Sequence, residues 1–275
     1  MRNSGVPSRL LIWGAGLALI FLVGNAQAAR KVTYLIVEDK AHPFQIVQGS
    51  ESRGGIISDM VDAIFAGDEY TVDHQVYPIN RLRQVVAKEQ VNFWVAYEAV
   101  HWHTFGNQGL MVEEPLFNTR HVLLTCREDI PDRITRLEQL RGLNLVMLRG
   151  FDYQALDSAI EGGLIAEVPI DRYEAGIQLV AMGRTDGFVE MESRLKYHVR
   201  TSGVGNTDCL RWIDFSAIIP NFPLYISVDI DWPPAFRDFI AQRIRTLRAS
   251  GELERIMDHY LGSDYSPNLG FGTAE

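Results

Sequence analysis

Residues 91–126 read VNFWVAYEAVHWHTFGNQGLMVEEPLFNTRHVLLTC. Two apolar runs, VNFWVAY and HVLLT, flank a segment of weak periodicity over 98–114. Runs of that length and composition predict buried strands. Upstream, KVTYLIV (31–37) predicts another strand, IISDMVDAIF (56–65) places apolar residues at helical spacing, and Tyr70–Tyr77 alternates. RLRQVVAKE (81–89) reads as a helix with Asn80 as its cap. Strand, helix, strand, helix, strand is an α/β layout with a mostly parallel sheet. The pattern resumes downstream. Pro131–Leu140 predicts a short helix, LNLVML (143–148) a strand, 153–161 a helix and Ile165–Ile170 a strand. Arg172–Met182 is an amphipathic helix, Gly187–Val189 a short strand and Glu190–Val199 a helix. Strands at Leu210–Phe215 and Leu224–Val228 precede two closing helices over about 233–248 and 251–261. α/β patterns therefore lie on both sides of residues 115–121.

Composition narrows the function classes. The 275 residues are 47% hydrophobic and 22% charged, which excludes disordered and collagen-like chains. The formal charge is -9 and no basic block occurs, so nucleic acid is not an expected partner. Two cysteines, 83 positions apart, cannot build a Cys/His zinc pattern. Residues 1–28 read as a secretory signal: Arg2 and Arg9, an apolar run from Leu10 to Val23, then Ala26-Gln27-Ala28. That run is shorter than the ~20 residues a membrane span needs. The expectation is a cleaved signal peptide and a soluble exported protein, periplasmic in a Gram-negative source. An oxidising compartment permits a bond between Cys126 and Cys209.

Several phrases then coincide. Pro43-Phe44 follows the first strand, and GGIISDMVDAIF, NRLRQVVAKEQVNFWVA, EPLF (114–117), LEQLRGLNLVMLRG, LVAMGRTDGFV and FRDFIAQRIRTLRASGELERIMDHYLG follow in order. In this order and spacing the chain resembles the family 3 solute-binding proteins, the polar amino-acid-binding components of ABC importers, over nearly all of residues 29–275. The resemblance implies a two-lobed, type II periplasmic binding protein-like α/β fold with two crossover strands. Lobe 1 would comprise 29–117 and 222–275, and lobe 2 would comprise 118–221. It also implies a monomer without cofactor or metal, a small-molecule ligand between the lobes, and an ABC permease or membrane sensor as partner. In such an architecture HVLLTC enters the second lobe and pairs with the departing CLRWIDF, which places Cys126 and Cys209 together.

One departure limits the choice of ligand. Amino-acid binders of this family carry an Arg soon after the third strand, which clamps the ligand carboxylate. The matching stretch here, YEAVHWHTFGNQ, has none, and Arg120 does not fit the motif. Glu190 and Glu192 bracket the position where the family holds the ligand amine. The expected solute is therefore small and polar, and aromatic, cationic or neutral. The resemblance places Phe44 as an aromatic wall and Phe151, Asp152 and Tyr153 in the ligand-contacting turn of lobe 2. Tyr97, Glu98 and Trp102 follow a strand end and join the ligand-binding set, with Glu190 and Glu192. Trp94 lies within a strand and reads as core. His101 and His103 lack a third metal ligand. Arg81 and Arg83 open a helix and stay open between an anion contact and solvated charge. A dehydratase-like enzyme using Glu98, Glu190 or Glu192 is the alternative, yet no nucleophile–base–orienter spacing supports it. The expectation is a binding protein with no catalytic residues.

Overall fold

A computed structural model describes Met1 and residues 29–38, 41–67, 69–263 and 265. The signal reading of residues 2–28 lies outside the described residues. The first stretch forms β1 (Arg30–Val37), β2 (Val47–Gln48), β3 (Glu51–Ser52), α1 (Ile56–Ile64), β4 (Tyr70–Tyr77) and α2 (Ile79–Ala87). β5 (Trp94–Glu98), β6 (Gly109–Met111) and β7 (Phe117–Thr119) complete it. The middle stretch forms β8 (His121–Thr125), β9 (Asn144–Leu148), α3 (Gln154–Glu161), β10 (Ala166–Ile170) and α4 (Tyr173–Ala181). β11 (Gly187–Met191), α5 (Glu192–Thr201) and β12 (Arg211–Asp214) follow. β13 (Phe222–Asp229), α6 (Pro234–Ala249) and α7 (Glu252–Leu261) close the chain.

These strands make two main sheets. One has the order β4-β1-β5-β13-β6, with β7 also on β13, and the other the order β10-β9-β11-β8-β12. The first draws on chain before Arg120 and after Asn221; the second draws on what lies between. In each sheet the strands joined through helices are parallel: β4, β1 and β5 in one, β10, β9 and β11 in the other. The strands by which the chain enters or leaves run antiparallel, because it must turn back across the sheet. Both sheets are thus mixed, where the sequence suggested mostly parallel ones. The two connections lie side by side, with Thr119 opposite Phe222 and Phe117 opposite Leu224.

Each unit has its own core. Ile36, Val95, Ile57, Met60, Ile240 and Met257 fill the first sheet's contact with α1, α6 and α7. Leu35, Leu82, Val86 and Trp94 fill its other face under α2. In the second unit Leu145, Leu156 and Val189 pack under α3, and Val146, Ile177 and Leu195 pack under α4 and α5. Arg243 on α6 donates from Nε and Nη2 to the Ile64 and Ala63 carbonyls, satisfying the C-terminal end of α1.

Local differences from the sequence reading have physical causes. Pro78, with φ of -55°, opens α2 and puts Asn80 inside the helix, so Asn80 is no cap. The expected helix over 131–140 is one 3-10 turn at Leu137–Leu140. The third strand begins at Trp94, since Phe93 before it sits at φ 53°. Glu190 belongs to β11 and not to the following helix, because Gly187–Met191 is buried throughout between β8 and β9. Cys126 and Cys209 are disulfide-bonded with Cα atoms 4.9 Å apart, at the ends of the antiparallel pair β8 and β12.

Candidate functional site

Between the two units lies a cavity of about 680 Å³. The first unit contributes Arg83, His101, Trp102, Thr104 and Phe222, and the second contributes His121, 150–155, Glu190, Met191 and Arg194. Residues 219–221 of the return connection complete the wall.

The loop after β5 is organised by Glu98. Its carboxylate accepts the Thr104 N–H at 2.8 Å, the Thr104 hydroxyl at 3.1 Å and the Ala99 N–H at 3.1 Å. Burial pushes the Glu98 carboxyl up, and these hydrogen bonds oppose the shift. So tied, the loop presents Trp102, which meets Tyr97 edge-on at 5.7 Å and Phe222 at 6.1 Å. Phe44 is placed from behind by a close turn. Ile57 N–H donates to the Phe44 carbonyl at 2.9 Å, and a Cβ on Gly55 would stand 2.6 Å from that same oxygen. The Phe44 ring is fully buried, 6.2 Å from Tyr97 and 5.8 Å from Phe117.

The second unit supplies the turn 150–154. Gly150 adopts φ 84°, and Asp152 Oδ1 accepts the Gln154 N–H at 3.1 Å where α3 begins. The Leu148 N–H donates to the Tyr153 hydroxyl at 3.1 Å. Glu190, at the end of β11, is 2% exposed. Its Oε1 accepts the Met191 N–H at 2.7 Å, and the Tyr173 hydroxyl donates to Oε2 at 3.3 Å. Burial pushes the Glu190 carboxyl up, and the Arg194 charge opposes this.

Of the residues expected at the site, Trp102, Phe151, Asp152, Tyr153 and Glu190 line the cavity. Phe44 and Tyr97 stand in a second row, Glu98 turns into its own loop, and Glu192 is drawn to the crossover. Arg120 Nε donates to Glu192 Oε2 at 2.8 Å, and the Glu192 N–H donates to the Arg120 carbonyl at 2.8 Å.

The sequence reading missed Arg194, His121 and Phe222. Arg194 is 4% exposed, and its guanidinium lies 5.2 Å from the Phe44 centroid and 4.8 Å from that of Phe151. Nη1 donates to the Tyr173 hydroxyl at 3.1 Å, while Nε is buried without an acceptor. A signal for it exists in the sequence. Arg194 is the third residue of α5, where the helix dipole disfavours a cation. His121 opens β8, and its Nδ1 is buried without a partner. Burial pushes this imidazole down to about 4, and the charges of Arg194 and His101 add to that, so it is neutral at pH 7.

A second cavity of about 350 Å³ lies at the edge between the units, lined by His42, Tyr173, Glu174, Tyr197 and His198 among others. His198 stacks on Tyr173 at 4.1 Å, with Nδ1 3.2 Å from Glu174 Oε1. Among the described residues no group of three or more His, Cys, Asp or Glu is arranged to hold a metal ion. No helix among them is long and apolar enough to cross a membrane.

No family model and no curated protein matches the chain. Solved structures do. A probable amino-acid ABC transporter extracellular-binding protein from Bacillus subtilis matches at a TM-score of 0.65 and 12% identity, covering 86% of this chain and 100% of that one. The fold is periplasmic binding protein-like. The L-cystine solute receptor of Neisseria gonorrhoeae, unliganded and open, matches at 0.62 and 14% identity, covering 86% of this chain and 95% of that one. A histidine kinase sensor domain with similarity to periplasmic binding proteins matches at 0.60 and 18%, covering 86% and 97%. In a periplasmic binding protein-like fold the two sheets belong to two lobes, and the 680 Å³ cavity is the space between them.

Proposed function

We propose that this chain is an exported solute-binding protein that captures one small polar solute between its lobes and hands it to an ABC permease. In this reading lobe 1 is 29–117 with 222–275, lobe 2 is 118–221, and residues 1–28 are cleaved on export to the periplasm. The carrying observation is a small-molecule-sized cavity with walls from both lobes and two buried polar atoms, Arg194 Nε and His121 Nδ1, that lack partners. Partnerless buried polar atoms cost about 1–3 kcal/mol each, and a polar solute relieves that cost. Phe44 and Tyr97 back the site, and Trp102, Phe151, Tyr153 and Glu190 contact the solute. The likeness to binding proteins for amino acids and cystine supports this reading. The solved structures it matches are binding proteins and a sensor domain, which favours capture over catalysis. A sensory role is the second reading, favoured by the likeness to a histidine kinase sensor domain.

A thermal-shift panel of amino acids, polyamines, sugars and carboxylates tests capture. A ligand at 100 times its Kd stabilises the fold by about 2.7 kcal/mol. Solute capture predicts at least one saturable shift. A flat response across all four classes contradicts it.

A further inference from the structure

We propose that the solute is a small organic carboxylate with an apolar or aromatic body and no α-ammonium group, held by Arg194 of the second lobe. This rests on the solute-capture reading and names its chemical class.

The acids at and behind the cavity wall already accept hydrogen bonds from the protein. Glu190 accepts the Met191 N–H on one oxygen and the Tyr173 hydroxyl on the other, and its charge faces that of Arg194. Glu98 is consumed by Ala99 and Thr104, and Glu192 by Arg120. Asp152 holds the start of α3. The groups left with free hydrogen-bonding capacity are led by a guanidinium. A guanidinium carries five N–H donors, and among the described residues Arg194 makes one hydrogen bond, to Tyr173. Its buried Nε has no acceptor, and His121 Nδ1 on the same wall has no partner. Arg83 lines the cavity as well.

The aromatic rings behind the cavity also already carry a cation. Arg194 itself lies over both Phe44 and Phe151. A second cation placed there meets like charge, whereas a carboxylate meets a desolvated counter-ion, for which a planar guanidinium is well suited. The sequence suggested an aromatic, cationic or neutral solute because residues 97–108 contain no Arg. Arg194 supplies the missing charge from the other lobe. Trp102, Phe151 and Phe222 line the remainder and offer aromatic faces to the body of the ligand. Asp152 and Glu190 in the same wall disfavour any negative charge beyond the one that Arg194 offsets, as in a dianion such as phosphate.

Calorimetry on the exported protein with benzoate, phenylacetate, glutamine, spermidine, glucose and inorganic phosphate tests this. The expected result is binding of benzoate or phenylacetate, weakened at least thirtyfold in Arg194→Gln and partly restored in Arg194→Lys. Should Arg194→Gln fail to fold, Ala155→Glu puts a carboxylate on the exposed cavity wall and is expected to weaken the same ligands at least tenfold. Spermidine, glucose, glutamine or phosphate binding while both carboxylates stay silent overturns the carboxylate class and leaves solute capture standing. Unchanged benzoate affinity in the variants overturns the role of Arg194. Silence of every probe overturns the inference, and the thermal-shift panel then decides capture separately.

Discussion

The guanidinium of Arg194, carried by the second lobe, lies 5.2 Å from the centroid of the Phe44 ring in the first. The same group lies 4.8 Å from Phe151 on its own side. One side chain in the cavity wall thus touches rings on both sides. Each such contact is worth about 0.5–2 kcal/mol, more when desolvated. The Tyr173 hydroxyl accepts from Arg194 and donates to Glu190, which joins α4, α5 and β11 at this point.

Phe44 is the aromatic half of that contact and also core. It is fully buried, between Tyr97 and Phe117. Phe44→Ala is expected to cost about 3–5 kcal/mol in urea unfolding. Phe44→Leu is expected to cost less and still loosen the lobes. A loss below about 1 kcal/mol for the alanine variant contradicts this placement.

The crossover is held by Arg120 and Glu192. The Glu192 side chain is 5% exposed and that of Arg120 is 49% exposed. Arg120→Ala leaves a buried carboxylate without its cation, at a cost of about 1–2 kcal/mol once the exposure of Arg120 is discounted. Arg120→Ala with Glu192→Gln should recover part of that loss. A double-mutant cycle with no coupling removes this pair from the account.

Reducing the disulfide should separate stability from binding. Cys126–Cys209 closes a loop of 83 positions, and such a cross-link contributes about 2–4 kcal/mol. His121 lines the cavity at one end of β8, while Cys126 follows its other end, about 17 Å along the strand at ~3.3 Å per residue. Cys126→Ser with Cys209→Ser should therefore lower Tm and leave solute affinity unchanged. A tenfold change in affinity contradicts the separation.

The titration of His121 gives a pH test. Its folded value is pushed down to about 4, mainly by burial, against about 6.5 in the unfolded chain. As pH falls from 6.5 toward 4 the unfolded chain takes a proton that the folded one refuses. The contribution of His121 is therefore full above about 6.5 and is lost on acidification. Glu98 and Glu190, raised by burial, act in the opposite sense, so the signal is differential. Relative to His121→Gln, the wild type should lose about 2 kcal/mol between pH 7 and pH 5, at ~1.4 kcal/mol per pKa unit. Parallel stability curves contradict this.

The layout of strands and helices was legible because β-branched runs and helical spacing recur along the chain, as in KVTYLIV and IISDMVDAIF. The pairing of Cys126 with Cys209 was legible once HVLLTC and CLRWIDF were set as neighbours. The charge of the cavity was not. Glu98 and Glu192 look like ligands in sequence, yet Thr104 and Arg120 take them, and such partnerships appear only in three dimensions. Arg194 lay within the helix read over Glu190–Val199; a cation in its first turn was the one local sign, and that does not say the side chain turns inward over two aromatic rings.

In the proposed reading a solute occupies the space between Trp102, Phe151 and Arg194. Ala155 lies exposed on that wall, so Ala155→Trp is expected to fill the cavity while replacing no core side chain. Calorimetry of this variant, with whichever solute shifts the wild-type Tm, is the most direct test. The expected result is at least a hundredfold loss of affinity with Tm unchanged within about 3 °C, as for a surface substitution within ±0.5 kcal/mol. Undiminished affinity in a folded Ala155→Trp protein would place the solute elsewhere and contradict it.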